Sequence, residues 1–336
     1  MQKKKKRRVP NYPRIILCAL PLLVLIAVII FVVRIAVWNR GKEYGTVDPD
    51  LVALDTKDNI ILMPRTVLNP ESFDGTSTVL VFGNDTYCDG LNKNESILDD
   101  LQSKLPDVQI INCCLPGTYI STATEQETSP EECPLDYFSM EWLALGIRFD
   151  DYSKHYRALD NLDSSKYDVQ RYKEVLTTLE NLDFNSVEVV MFCYDGHDYL
   201  NGNMPYAYND NGVDIQTENS STLIGALYTS VFLYNYMNPE VQYVFVSPAF
   251  CYATDENGKK ISCAMYDTGY GNISENYKAA RLIDSYFGVS YIDMYSGVLI
   301  NEDNATAYLE KDGITPNKKG KEMITDRLFT LLEKRL

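Results

Sequence analysis

Histidine is scarce in this sequence, since only two occur in 336 residues, His155 and His197. Any acid–base chemistry that needs an imidazole must therefore use one of these two side chains. Metal-ligand spacings such as H-x-x-E or C-x-x-C are missing, and so is an EF-hand loop. The sequence therefore predicts no metal and no other cofactor. His155 lies in a helical pattern, and we expect it to be exposed and without a role.

Acidic residues are missing from the first 42 positions, which hold ten Lys and Arg. Residues 15–33 then run for nineteen positions without a charge, long enough to cross a bilayer as a helix. The alternative, a cleaved signal peptide, normally has a shorter apolar region and a small-residue cleavage site. We predict a basic cytoplasmic tail at 1–14, a transmembrane anchor in the lipid bilayer at 15–38, a stalk at 39–75 and a folded ectodomain at 76–336. Because positive charge stays inside, the ectodomain is expected outside the cell membrane.

The remainder of the chain is strongly acidic. Residues 43–336 hold 21 basic and 47 acidic side chains, a net charge of about −26. Such a surface repels nucleic acid, so none is expected as a partner. Seven cysteines lie in this part, an odd number that cannot pair fully within one chain. Cys251 and Cys263 flank the hairpin signal Asn257-Gly258, which makes them the best candidates for a disulfide.

Short apolar runs rich in β-branched residues alternate with helical patterns. The runs are at 77–82, 108–112, 187–193, 241–246 and 289–294, and helical patterns occupy 96–105, 134–182, 222–237, 274–287 and 319–336. Continuous apolar runs are typical of strands that are buried on both faces. The alternation predicts an α/β fold, with a parallel sheet between layers of helices.

Ligands of such sheets bind beyond the carboxyl ends of the strands. Three loops follow the first three strands there, at 83–90, 113–121 and 194–202, and the turn at 312–320 precedes the last helix. In order and place, these four segments resemble the signature blocks of the SGNH/GDSL hydrolase family. The blocks are Gly-Asp-Ser, Asn-x-Gly-x-x-Gly, Gly-x-Asn-Asp and Asp-x-x-His-Pro-Asn. The resemblance implies a flavodoxin-like three-layer sandwich, the fold of esterases, lipases and acetyl-glycan hydrolases.

The resemblance also implies roles for individual residues. The first block keeps Gly83 and Asp85, with one residue inserted, and places Thr86 where the nucleophilic serine would stand. In the second block Cys114 replaces the oxyanion glycine, while Gly117 is kept. In the third block His197 stands in place of the oxyanion asparagine, and Asp198 follows it. In the fourth block Thr315 stands in place of the histidine that Asp312 would orient.

These replacements leave the chemistry open. A hydroxyl is a poor nucleophile until a base removes its proton, and Thr315 cannot accept one at neutral pH. His197, backed by Asp195 or Asp198, is the only substitute base for Thr86. A metal site is a further alternative, although no ligand spacing supports it. Its ligands would come from Asp85, Asp89, Asp195, His197 and Asp198.

Two functions therefore stand as hypotheses. One is an ester hydrolase or acyl-transfer enzyme that acts on esters of cell-surface glycans or envelope molecules. The other is a catalytically inactive module that binds carbohydrate or an envelope protein. Tyrosines after the third strand, beside acidic groups, suit sugar rings and hydroxyls. They are Tyr194, Tyr199, Tyr206 and Tyr208.

Overall fold

The computed structural model describes residues 57–64, 77–91, 95–125, 127–210 and 212–336. The predicted tail at 1–14 and the predicted anchor at 15–38 lie outside these residues. Within the described ranges, no helix is both long enough and apolar enough to span a bilayer.

Five parallel strands form the central sheet, in the order β2-β1-β3-β6-β9. The strands along the chain are β1 (Ser77–Gly83), β2 (Val108–Asn112), β3 (Val189–Cys193), β4 (Tyr208–Asn209), β5 (Gly212–Val213), β6 (Gln242–Val246), β7 (Tyr252–Thr254), β8 (Lys260–Ser262) and β9 (Ser290–Ile292). Two antiparallel pairs, β4 with β5 and β7 with β8, lie outside this sheet. The five predicted strands and their parallel arrangement are confirmed.

Strand β1 shows why the sheet is central, because all seven of its residues are buried. Successive side chains of a strand point to opposite faces. Leu80 and Phe82 accordingly pack into the core on one face, and Val79 and Val81 into the core on the other. The apolar runs thus fill two cores, one on each side of the sheet.

Helices cover both faces. The α-helices are α1 (Asp85–Cys88), α2 (Ile97–Lys104), α3 (Met140–Phe149), α4 (Ser153–Asn161), α5 (Val169–Glu180), α6 (His197–Leu200), α7 (Leu223–Met237), α8 (Ile273–Phe287), α9 (Met294–Gly297), α10 (Ala305–Tyr308) and α11 (Lys318–Leu332), with 3₁₀ helices at Pro134–Phe138 and Phe184–Ser186. The predicted stretch 134–182 is divided into several helices. One break follows α3, where Asp150 adopts the left-handed conformation (φ 51°) that ends a helix.

Residues 57–64 belong to the folded unit, although the sequence analysis assigned them to the stalk. Asn59 forms an antiparallel bridge with Tyr291 of β9, and Leu62 is buried. Asp58 forms an ion pair with Arg327 at 2.5 Å. This segment therefore extends the sheet edge next to β9, which places the start of the folded unit before residue 76.

His155 is buried, so the expectation of an exposed helix residue was wrong. Its ring is 1% exposed and packs among Phe138, Trp142 and Tyr152. Nε2 lies 3.0 Å from the Trp142 carbonyl oxygen. Burial lowers the pKa of His155 to about 4, so this imidazole is neutral at physiological pH. It is a core residue.

Candidate functional site

The site begins where β1 ends. Gly83 is the last residue of the strand, and a Cβ there would lie 2.2 Å from the Cys193 carbonyl oxygen, so only glycine fits. The next residue, Asn84, joins three loops. Its side chain accepts the Asp195 backbone N–H at 2.9 Å and donates to the Thr118 carbonyl at 3.2 Å. The predicted meeting of these loops at one edge of the sheet is therefore observed.

Asp85, the first residue of α1, faces a cleft. Its Oδ2 accepts the Gly117 backbone N–H at 2.8 Å. Burial, together with the nearby Asp195 charge, raises the pKa of Asp85. The cleft has a volume of about 320 Å³. It is lined by Asp85, Cys88, Asp89, Leu91, Pro116, Asp168, Arg171 and Thr315.

Thr86 points elsewhere. It is 5% exposed and does not line the cleft, and its backbone N–H donates to Asp195 Oδ2 at 3.1 Å. In the part of the chain that the structure describes, no hydrogen bond joins the Thr86 hydroxyl to His197. The placement of Thr86 at the serine position assumed one residue inserted after Gly83. If the pattern Gly-Asp-Ser is instead counted from Gly83 without an insertion, Asp85 falls at the serine position. Thr86 as nucleophile stays a prediction, and of these two residues only Asp85 lines the cleft.

His197, at the start of α6, is held by Asp195. Its Nδ1 lies 2.5 Å from Asp195 Oδ1 and 4.0 Å from Asp85 Oδ2. Burial by itself lowers the pKa of His197, but the hydrogen bond and charge of Asp195 outweigh it and raise the pKa to about 9. For Asp195, 7% exposed, burial acts to raise the pKa, yet the hydrogen bond from His197 keeps it below its usual value. The pair is thus an imidazolium and a carboxylate at neutral pH.

Asp198 lies one residue beyond His197 and is buried away from the cleft. It accepts hydrogen bonds from Ile120 N at 2.9 Å, Ser121 N at 3.1 Å, Ser121 Oγ at 2.7 Å and Asn203 Nδ2 at 3.1 Å. Burial raises its pKa. These bonds fasten the loop after β2 to α6, so Asp198 fixes the position of the loops.

Thr315 and Asp312, the two residues predicted from the fourth block, are in direct contact. Thr315 Oγ1 donates to Asp312 Oδ2 at 2.6 Å, and Thr315 lines the cleft together with Asp85. Asp312 also accepts the backbone N–H groups of Ile314 and Thr315, at 2.8 and 3.0 Å. A threonine hydroxyl in this place donates a hydrogen bond to the carboxylate but cannot take a proton from a nucleophile.

The two predicted oxyanion donors of the second loop differ. The Cys114 N–H is occupied, because it donates to Asn112 Oδ1 at 3.0 Å. Gly117 adopts φ +78° and directs its N–H to Asp85. A Cβ on Gly117 would lie 2.6 Å from Cε1 of Tyr167, so this ring packs directly on the glycine.

Two carboxylates and one imidazole at the site are side chains of the types that bind metal ions. The ligand atoms of Asp85, Asp195 and His197 lie within 4.8 Å of one another. However, Asp195 already accepts the backbone N–H groups of Thr86 and His197 in addition to the imidazole. Two ligands bound at about 2.0 Å to one ion usually lie about 3 Å apart, so the 2.5 Å between Nδ1 and Oδ1 fits a shared proton better than an ion. The arrangement suits a charged hydrogen bond.

Tyr167 and Arg171 lie at the site, although no sequence motif predicted them there. The Arg171 guanidinium donates to the carbonyl oxygens of Asn112 at 2.8 Å and Cys114 at 3.1 Å. Both residues lie within the predicted helical stretch 134–182, far from the four loops in sequence, so no motif near them indicated a place at the site. Among the tyrosines after β3, Tyr194 and Tyr199 are core residues, whereas Tyr208 is 71% exposed.

No family model and no curated protein sequence matches the chain. Solved structures do. A protein from Lactobacillus plantarum has a TM-score of 0.50 at 14% identity, covering 77% of this chain and 98% of that one. A "possible lipase" from Chitinophaga pinensis has a TM-score of 0.45 at 16% identity, covering 76% of this chain and 99% of that one. The lipase/acylhydrolase from Enterococcus faecalis has a TM-score of 0.40 at 11% identity, covering 77% of this chain and 97% of that one.

At these identities the likeness concerns the fold alone. The α/β fold with its five-stranded parallel sheet is shared with the Lactobacillus plantarum protein, and structures described as a GDSL-like lipase and an SGNH hydrolase are among the further matches. The resemblance read from the four sequence blocks is therefore confirmed for the fold.

Proposed function

We propose that this chain is a single-pass membrane protein whose domain lies outside the cytoplasm and binds carbohydrate in the cleft beside Asp85, without hydrolysing esters. One observation carries the proposal. His197, the only histidine at the site, is paired with Asp195 and has a pKa of about 9. An imidazolium cannot take a proton from a threonine hydroxyl, so His197 does not supply the base that acyl transfer at Thr86 needs.

The lining of the cleft suits hydroxyl-rich ligands. Asp85, Asp89 and Asp168 supply carboxylate oxygens, which accept hydrogen bonds from sugar hydroxyls. The Arg171 guanidinium adds donors. The Tyr167 ring does not line the cleft itself but packs on Gly117, the residue after the lining residue Pro116, and so places an aromatic side chain next to it. Convergent polar groups beside an aromatic ring are typical of small-ligand sites.

The competing hypothesis is an ester hydrolase. The fold and the position of the cleft beyond the strand ends favour it, but it requires Thr86 to be deprotonated by His197. The test is hydrolysis of 4-nitrophenyl acetate by the full-length protein in detergent micelles, beside Thr86→Ala and His197→Ala. We expect the same near-background rate in all three. Turnover that disappears in both variants would establish the hydrolase and refute the proposal.

Carbohydrate binding is tested separately, with full-length protein applied to a panel of bacterial surface polysaccharides. Asp85→Asn should weaken binding to a recognised glycan by about tenfold, because it removes one charged hydrogen-bond acceptor. Asp160→Asn is the matched control, since Asp160 lies exposed on α4 and does not line the cleft. Binding to no glycan, or equal loss in both variants, would contradict a carbohydrate site at Asp85.

A further inference from the structure

Cys251 and Cys263 flank the β7–β8 hairpin, lie opposite each other and are both free thiols in the structure. Tyr252 pairs with Ser262 in the hairpin, so the next pair away from the turn is Cys251 with Cys263. The Cys263 N–H donates to the Cys251 carbonyl at 3.1 Å, and the Cys251 N–H to Cys263 Sγ at 3.4 Å. Directly opposed residues of antiparallel strands have Cα atoms about 4.5 to 5.5 Å apart. This separation lies within the range that a disulfide bridges, about 4.4 to 6.8 Å.

This hairpin contacts α6, the helix that begins at His197. Cys251 Sγ would lie 3.1 Å from a Cβ on Gly196, the residue before His197. The Tyr199 hydroxyl donates to the Cys263 carbonyl at 3.3 Å. Both cysteines therefore pack against the segment that positions the imidazole.

The same hairpin contacts the loop that carries Asp312 and Thr315. The Tyr252 N–H donates to the Gly313 carbonyl at 2.8 Å. The Lys260 ammonium donates to the Lys311 carbonyl. The hairpin thus joins the His197 side of the site to the Thr315 side.

We propose that Cys251 and Cys263 form a disulfide that clamps this hairpin and thereby holds His197 in its contact with Asp195. In the step, two thiols lose two protons and two electrons to form one S–S bond. A small-molecule or protein disulfide takes up the electrons and protons and becomes two thiols. Cys251 and Cys263 are 2% and 0% exposed, so the bond forms while the hairpin is open. The inference rests on the proposed location outside the cytoplasm, where disulfides persist.

The first test is peptide mapping of full-length protein that is isolated with an alkylating agent and without reductant. We expect a peptide pair that links Cys251 to Cys263 and separates on reduction. Cys251 and Cys263 could instead both be alkylated on isolation and become linked only after incubation with oxidised glutathione in low urea. That result would support the pairing of the two cysteines but contradict the proposed location outside the cytoplasm. Two alkylated cysteines after both treatments would overturn the disulfide. Neither treatment involves a glycan or an ester, so this result is independent of ligand binding.

The second test asks whether the bond positions His197. The pKa of His197 is followed by NMR in the double variant Cys251→Ser, Cys263→Ser, with Cys133→Ser as the control. We expect the titration midpoint to fall from about 9 towards the ordinary 6.5 in the double variant and to stay unchanged in the control. The melting temperature should also fall by about 5 °C in the double variant alone. A midpoint that stays near 9 in the double variant would refute the positioning role.

Discussion

Replacing His197 by asparagine tests the ion pair at the site through its effect on stability. In the native protein Asp195 is buried and accepts the imidazole N–H in addition to backbone N–H groups of Thr86 and His197. His197→Asn keeps the backbone donors and a polar side chain but removes the positive charge. A buried carboxylate then lacks its counter-charge, so the free energy of unfolding should decrease.

The expected size follows from the pKa of His197, which is raised from 6.5 to about 9. Each pKa unit corresponds to about 1.4 kcal/mol, so the pair contributes about 3 kcal/mol when His197 is charged in both the folded and the unfolded state. The folded pKa is the higher one. The contribution is therefore complete below pH 6.5 and is lost as the pH rises through about 9. We expect His197→Asn to cost about 3 kcal/mol at pH 6 and less than about 1 kcal/mol at pH 10.

Urea unfolding of the full-length protein in micelles, followed by tryptophan fluorescence at pH 6, 8 and 10, measures this difference; Trp142 is the tryptophan within the folded domain. Unfolding of the native protein should itself become easier between pH 8 and 10, and that dependence should be weaker in the variant. An equal loss of stability at all three pH values would mean that His197 is not a cation in the folded protein. The reasoning about the site would then be refuted.

Three further predictions concern the frame of the site. The double variant Asp85→Ser, Thr315→His restores a serine and a histidine at the two positions of the family pattern, so it should hydrolyse 4-nitrophenyl acetate about a hundredfold faster than the native protein. The double variant Thr86→Ser, Thr315→His should show no such gain. The opposite result would place the nucleophile at Thr86. Asp198→Ala should lower the free energy of unfolding in urea by about 3 kcal/mol, because buried donors lose their acceptor, and a change below about 1 kcal/mol would contradict its fastening role. Gly117→Ala should abolish glycan binding, because the left-handed backbone and the Tyr167 ring exclude a Cβ; unchanged binding would show that this loop does not shape the cleft.

The sheet could be predicted because burial on both faces gives a strand a continuous apolar sequence. β1 and β3 are such strands, and every residue in them is buried. The long helical stretch at 134–182 could not be divided from sequence, because its breaks depend on single backbone conformations such as that of Asp150. The edge segment at 57–64 was missed because one bridge and one buried leucine leave no periodic pattern.

At the site, the positions could be predicted more fully than the protonation states. The four loops and the contact of Asp312 with Thr315 follow from block order and spacing. The charge of His197 does not, because it depends on a contact with Asp195 that only the turn at Gly196 creates. The direction of Asp85 into the cleft likewise depends on where α1 begins.

The most direct measurement is an NMR titration of the two histidines in the full-length protein with ¹³C-labelled histidine, assigned with a His155→Gln variant. We predict one midpoint near 9 for His197 and one near 4 for His155, with neither at the ordinary value of 6.5. A His197 midpoint at or below 6.5 would contradict it. The imidazole would then be neutral at physiological pH and available as a base for Thr86.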